Sequence, residues 1–253
     1  MSYDYSENIL VQESAGHLLE RELGWEVAYA YNTEKLGKDG TFGRTSYREI
    51  LLTRYFRQAL QHLNPWLTSA QVDEAQKKMA SRLSTASLMQ INEEKYALIR
   101  EGIPVTIKRS DGKTEEKRAQ VIDFQNPDNN RFLAIKELKI HGDLYRRRTD
   151  IVGFVNGIPL LFVELKKNTV DVQDAYTNNY TDYLDTIPHL FWYNAFLILS
   201  NGLEAKVGTL GSKYEFFHEW KRLKESDAGR VELETMLRGI CEKKTFLALL
   251  ENF

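Results

Sequence analysis

One cysteine in 253 residues, Cys241, leaves no partner for an internal disulfide, and a single thiol cannot build a zinc ribbon. Nor is there an excess of charge of either sign. Thirty-four Lys and Arg against thirty-six Asp and Glu give a formal charge of −2, with a pI near 6.3. That balance excludes a polycation that binds phosphate over its whole surface, but not a local basic groove. The opening MSYDYSENIL is acidic and polar, so it lacks the basic and then apolar pattern of a secretory signal. No uninterrupted apolar run approaches the roughly 20 residues needed to cross a bilayer. No repeat period and no low-complexity tract is present. A phosphate-binding Gly-x-x-x-x-Gly-Lys-Ser/Thr loop is missing too, since Gly37-Lys38 is followed by Asp39. The five histidines, His17, His62, His141, His189 and His218, show no metal-ligand spacing. What remains is a cytoplasmic globular protein of a reducing compartment, with an ordinary 42% apolar and 28% charged residues.

The first hundred residues read as helices. Ile9, Ala15, Leu18, Leu19 and Leu23 recur at helical spacing, and Gly24 supplies a stop. A loop rich in glycine and charge runs from Asn32 to Arg44. Ser46 with Glu49 has the spacing of a capping box for a second helix, which Asn64-Pro65 ends. Thr68 or Ser69 caps a third helix through Met79, and a fourth runs from about Leu88 to Arg100 before Gly102 and Pro104. After Pro104 the period changes to two. Val105 and Ile107, then Val121, Ile122 and Phe124, flank the polar turn Ser110 to Lys113 as an expected hairpin. Strands are expected over Phe132–Ile140, Ile151–Val155, Ile158–Lys166, Phe196–Ser200 and Ala205–Leu210, with a helix over Asp171–Asp185. Three more amphipathic helices close the chain. The last, Lys244 to Phe253, has neither cap nor polar tail, an end expected of a fragment. The order predicts an α/β (α+β) fold: a mixed sheet flanked by helices, with a helical insertion after the first helix. Residues 1–253 then divide into an insertion at 31–104, a sheet core with a crossover helix at 105–210, and C-terminal helices at 211–253.

The informative stretch is Asp150 to Lys166, DIVGFVNGIPLLFVELK. Two apolar strands meet at Asn156-Gly157, the commonest tight-turn pair. The second is apolar on both faces from Ile158 to Val163, as a central strand is. It then presents Glu164 and Lys166 two residues apart, on one face. Charges placed directly after such a run are partly desolvated, which is costly unless they are paired or bind a metal. A plain two-residue turn sets Asp150 opposite Val163, on the wrong face for Glu164. An odd loop, or a bulge at the glycine or next to Pro159, restores the shared face, and that irregularity is the expectation. Two carboxylates and a lysine so placed suit phosphodiester hydrolysis: hard oxygen ligands for Mg²⁺, and a cation to orient water or offset charge on phosphorus. The plain alternative is a structural ion pair at a sheet end. Spacing alone does not decide, because Asp123, Glu137 and Lys139 repeat the same intervals of fourteen and two. Lys136 breaks the apolar face before that copy, so Glu137 is expected to be better solvated, and its longer loop to pin Asp123 less tightly. Burial favours the second copy.

The segment RRTDIVGFVNGIPLLFVELKK, Arg147 to Lys167, resembles the nuclease core of the restriction (R) subunit of type I restriction-modification enzymes, of the PD-(D/E)xK superfamily. Gly43-Arg44, Leu63-Asn64-Pro65, Gly102 to Val105, Ile187-Pro188 through Phe191, Asn194, and Ser200 to Gly202 agree with it in order. The resemblance implies an endonuclease domain that cleaves double-stranded DNA with Mg²⁺, for which Mn²⁺ substitutes. It makes Asp150 and Glu164 metal ligands and Lys166 the catalytic lysine. A first-helix glutamate often joins such sites; Glu13 is the candidate, with Glu20 behind it and a solvated helix carboxylate as the alternative. The Gln-x-x-x-Tyr motif that follows the lysine strand in the family corresponds to Asn179 and Tyr183, where asparagine is a departure. Gln173, with no tyrosine four residues on, fits less well. Arg147 and Arg148, with Arg146, are candidates for gripping DNA phosphate, against a solvated cluster at a strand entry. Family R subunits continue into an ATP-driven translocase and work with methyltransferase and specificity subunits, so ATP belongs to the full subunit and not to these residues. A docking module without catalysis, or a repair or junction nuclease of the same fold, are the rival readings. With the motor supplying DNA, the −2 charge predicts weak, salt-sensitive, metal-assisted DNA binding by the domain alone.

Overall fold

A computed structural model describes residues 4–82, 85–108, 111–223, 226, 229 and 232–252, with side chains from residue 10 onward. The first helix, α1 (Asp4–Arg21), buries Ala15, Leu18 and Leu19 and gives way to a short strand, β1 (Glu26–Tyr29). Three helices follow: α2 (Thr53–Leu63), α3 (Ser69–Ala80) and α4 (Leu88–Glu101). Both α3 and α4 begin with a reciprocal capping box, Thr68 with Gln71 and Ser87 with Gln90. The helical insertion therefore sits after the first helix, as the sequence predicts.

Ser46 does not cap α2. Glu49 instead accepts from the Thr45 backbone and hydroxyl, and the Leu52 N–H donates to the Gly157 carbonyl at 2.9 Å. Leu52 is thus anchored to a tight turn in the N-cap position, and the helix starts at Thr53. The fully buried Arg44 guanidinium ties the preceding loop down, bonding the Glu34 carboxylate at 2.8 and 2.6 Å and the carbonyls of Glu49 and Lys139.

The next hairpin pairs β2 (Ile103–Lys108) with β3 (Thr114–Ala119) and stands outside the main sheet, against α3. Its second strand lies upstream of the expected Val121–Phe124. The six residues TEEKRA are exposed but for Ala119, so no apolar alternation marks them, whereas Val121 and Ile122 are buried without being strand. Ser110 of the expected turn lies outside the described residues.

The expected strand from Phe132 to Ile140 is two: β4 (Phe132–Lys136) and β5 (Lys139–His141), broken where Glu137 takes a left-handed φ of +59°. β5 pairs with β6 (Arg146–Arg148) as a side hairpin. The core strands β7 (Ile151–Val155) and β8 (Ile158–Leu165) are buried along their whole length. A helical segment with a π-turn at Ala175–Tyr180 continues as α5 (Thr181–Thr186) and contacts β8 and β9 (Phe196–Ser200). β10 (Ala205–Gly208) completes a six-stranded mixed sheet of order β1-β4-β7-β8-β9-β10. The β1–β4 and β8–β9 pairs are parallel and the others antiparallel.

Two C-terminal helices rather than three occur among the described residues, α6 (Leu233–Ile240) and α7 (Lys243–Asn252). They close the core around Trp25. Its indole N–H donates to the Cys241 carbonyl at 2.8 Å, and its ring meets Phe132 and Phe246 edge to face at 5.0 and 5.5 Å. Cys241 is buried, with its thiol pushed above the usual range by desolvation. No helix among the described residues is long and apolar enough to cross a membrane.

Candidate active site

The β7–β8 hairpin carries the irregularity that a shared face requires. Ile151 pairs with Val163 and Gly153 with Leu161, but Phe154 pairs with Pro159, so Leu160 is the extra residue of a bulge. One step beyond Ile151, the same register sets Asp150 across from Glu164. The bulge falls next to Pro159, where the ring removes one ladder donor. The turn itself is tight: Asn156 and Gly157 have φ of +52° and +80°. Asn156 spans the neighbouring loops, with its amide donating to the carbonyl of Val121 and its oxygen accepting from the Arg131 N–H, both at 2.8 Å.

Asp150 is half-buried, and its Oδ2 accepts from the Leu165 N–H at 2.7 Å. Desolvation pushes its carboxyl up to about 6, against the lowering effect of that hydrogen bond and of Lys166. Glu164 is 2% exposed, and burial followed by the neighbouring Asp150 raises it well above the usual carboxylate range. Among the described residues its Oε2 is buried with no hydrogen-bond partner. Lys166 Nζ lies 3.7 Å from Glu164 Oε1 and is hydrogen-bonded to Asn179 Oδ1. Its backbone N–H donates to Ser200 at 2.7 Å, which fixes the lysine at the sheet end.

Asn179 lies in the π-turn, one helical turn from Tyr183. The Tyr183 ring packs edge to face on Phe162, and its hydroxyl donates to the Arg148 carbonyl at 3.2 Å. Burial, then Glu164 and Asp150, raise the phenol above its ordinary value. Asn179 and Tyr183 are thus brought to Glu164 and Lys166, while Tyr176 and Tyr180 belong to an aromatic cluster with Phe217 and Phe191.

Three other expectations meet different surroundings. Glu13 accepts from Lys136 Nζ at 2.6 Å, with His17 4.0 Å away. Arg147 grips Asp182 through two bonds of 2.5 and 2.8 Å, and Arg148 Nε sits 2.8 Å from Glu137 Oε2 with its guanidinium over Tyr31. Both arginines are therefore paired within the fold.

The sequence copy at Asp123, Glu137 and Lys139 is dispersed. Asp123 accepts from the backbone of Gln125 and Asn126 and from the Asn129 side chain, so it is firmly pinned as a loop organiser. Glu137 is better solvated than Glu164, 9% against 2% exposed, though still nearly buried, and it lies beside Asp150. Register and burial both distinguish the two copies: desolvation raises the Asp150 carboxyl, whereas hydrogen bonds from its loop lower that of Asp123. Gln12, which no spacing pattern marks, reaches both Glu137 Oε1 and the Asp150 carbonyl at 3.2 Å.

Two desolvated carboxylates facing one another, one with an unpartnered oxygen, are a donor set for a hard divalent cation. Among the described residues no group of three or more His, Cys, Asp or Glu side chains is assembled to hold a metal. A cation at this place would take two protein carboxylates and complete its shell with water and substrate.

Residues 4–216 match the family described as type I restriction enzyme R protein N terminus. The chain belongs to that family. It is 32% identical over 242 residues to the type I restriction enzyme HindI endonuclease subunit of Haemophilus influenzae, covering 92% of this chain and 22% of that protein. It is also 27% identical over 113 residues to the type I restriction enzyme SauMSSORF170P endonuclease subunit of Staphylococcus aureus, across 45% of this chain and 12% of that one. The chain thus spans about a fifth of the first relative's length. The mixed sheet with its helical insertion has the arrangement expected of a PD-(D/E)xK-like domain in this family.

Proposed function

We propose that this domain hydrolyses phosphodiester bonds of double-stranded DNA, with Asp150 and Glu164 holding Mg²⁺ and Lys166 acting beside them. The observation that carries this reading is the Leu160 bulge, which brings Asp150 onto the face of Glu164 and Lys166. A bound Mg²⁺ supplies Lewis-acid polarisation of the phosphate and a more acidic water. The residues of the chain do the rest. Asp150 is aimed by the Leu165 N–H, and Glu164 offers its unpartnered Oε2. Lys166, held by Asn179, places a cation where it can orient the attacking water or offset charge on the phosphoryl oxygens. Tyr183 braces the strand entry at Arg148. Shortening the family's glutamine to asparagine at 179 does not cost the lysine its partner, because the contact is made here.

By family likeness the domain acts within a prokaryotic, cytoplasmic assembly containing methyltransferase and specificity subunits and an ATP-driven translocase. Target choice and ATP use belong to those parts. The test is Lys166→Ala in the assembled enzyme, scored for cleavage of unmodified plasmid and for DNA-stimulated ATP hydrolysis. Cleavage is expected to fall by at least about a hundredfold with ATP hydrolysis retained. Undiminished cleavage would show that the catalytic assignment of Lys166 is wrong and would favour the docking-module reading.

A further inference from the structure

Two groups from distant parts of the chain converge on the Asp150 carbonyl: the Gln12 side-chain amide and the Glu137 backbone N–H. Glu137 follows β4 directly and is nearly buried, in a left-handed conformation (φ +59°) that a long side chain rarely adopts. Strained backbone of this kind persists only where its surroundings over-determine it. Here they do. The turn lets the Glu137 N–H donate to the Asp150 carbonyl at 2.9 Å while its carboxylate points back toward α1.

Gln12 meets it there, 5% exposed, and one amide nitrogen serves both groups: Glu137 Oε1 and the Asp150 carbonyl, each at 3.2 Å. The remaining oxygen of Glu137 lies 2.8 Å from Arg148 Nε. The Asp150 main chain is thus held from α1 and from the end of β4, independently of its own hairpin. Its carboxylate is held in front by the Leu165 N–H. Glu13, the neighbouring helix residue, points its charge to Lys136 instead.

We propose that Gln12 and Glu137 are positioning residues of the cation site. They lock the Asp150 backbone so that its carboxylate stays on the Leu165 amide and across from Glu164. The inference rests on the nuclease reading above for its function, though not for its geometry. Outer groups that orient metal-ligating carboxylates commonly change metal affinity ten- to a hundredfold when removed. Gln12 is the sharper probe, because removing its amide changes no charge.

The test uses the full chain with Gln12→Ala, Glu137→Ala and Glu137→Gln, and Glu13→Gln for comparison. Amide hydrogen exchange is read without metal at Leu165, whose N–H reports the Asp150 carboxylate, and at Ile198 in the middle of β9 as reference. Exchange at Leu165 is expected to quicken about tenfold relative to Ile198 in Gln12→Ala and Glu137→Ala. It should stay near wild type in Glu137→Gln, which keeps an oxygen for Gln12, and in Glu13→Gln. Calorimetric titration with Mn²⁺ should show about tenfold weaker binding in Gln12→Ala. Unchanged Leu165 exchange in the two alanine variants, or equal acceleration at Leu165 and Ile198, would overturn the positioning roles. Failure of the wild-type chain to bind Mn²⁺ would overturn the nuclease reading instead, so the two failures are told apart.

Discussion

Asp150 is the residue at which stability and function pull apart. Its carboxyl is pushed from an ordinary 3.8 up to about 6 by desolvation, so the folded chain binds this proton more tightly than the unfolded chain does. Stability from this group is therefore greatest below pH 3.8 and is lost as pH rises from about 4 to 6, by about 3 kcal/mol at neutrality. Glu164, raised in the same direction, adds to the loss. Asp150→Asn should accordingly raise the melting temperature of the metal-free chain at pH 7. The gap between variant and wild type should close near pH 4. Melting curves from pH 4 to 8 check this, and a gap independent of pH would contradict it. At this scale the sequence was legible in part. Glu164 and Lys166 stand at the end of a long apolar run and announce themselves, whereas Gln12 carries no spacing signal because its partners come from the turn after β4 and the residue before β7. The repeated interval at Asp123 and Glu137 shows the limit. Equal spacing in sequence led to two different environments, since one aspartate organises a loop and the other faces a bulged strand.

Among the elements, the β7–β8 hairpin is the part on which the site depends most. Gly157 has a φ of +80°, and a Cβ there would come within 2.6 Å of the Leu52 carbonyl and 2.9 Å of the Phe56 nitrogen. Gly157→Ala should therefore destabilise the chain by more than about 1 kcal/mol, measured by urea unfolding. It should also loosen the start of α2, whose Leu52 amide rests on the same residue. A second expectation concerns the loop before α2. Arg44→Ala strands the Glu34 carboxylate, 2% exposed, and should cost about 3–5 kcal/mol by the same assay. Element types were readable wherever apolar periodicity was strong, as in α3, α4, β7 and β8. They were not readable for β1, four residues long, or for β3 and β6, whose charged surfaces face solvent on a side hairpin. The late start of α2 was hidden because a tertiary hydrogen bond overrides a plausible local cap.

For the molecule as a whole, the formal charge of −2 takes on a clearer meaning once the arginines are located. Arg147 and Arg148 lead into Asp150, yet they are paired with Asp182 and Glu137. Neither arginine is left free to meet phosphate without giving up its carboxylate partner. Duplex binding by the chain alone should be weak, with a salt slope of about −2 to −3 on a log–log plot, and strengthened by Mg²⁺. Fluorescence anisotropy across 50 to 200 mM salt measures both. A steep slope would imply a basic groove that the paired arginines do not provide. In an assembly where a motor supplies the DNA, high local concentration replaces intrinsic affinity.

The face built by the bulge is expected to gather a divalent cation between Asp150 and Glu164. Anomalous scattering from a crystal of the chain grown with Mn²⁺ tests it most directly. A strong peak bonded to Asp150 and to Glu164 Oε2 is expected, and its loss in Glu164→Gln. A peak elsewhere, at Asp123 or beside Glu13, with none between those two carboxylates, would contradict it.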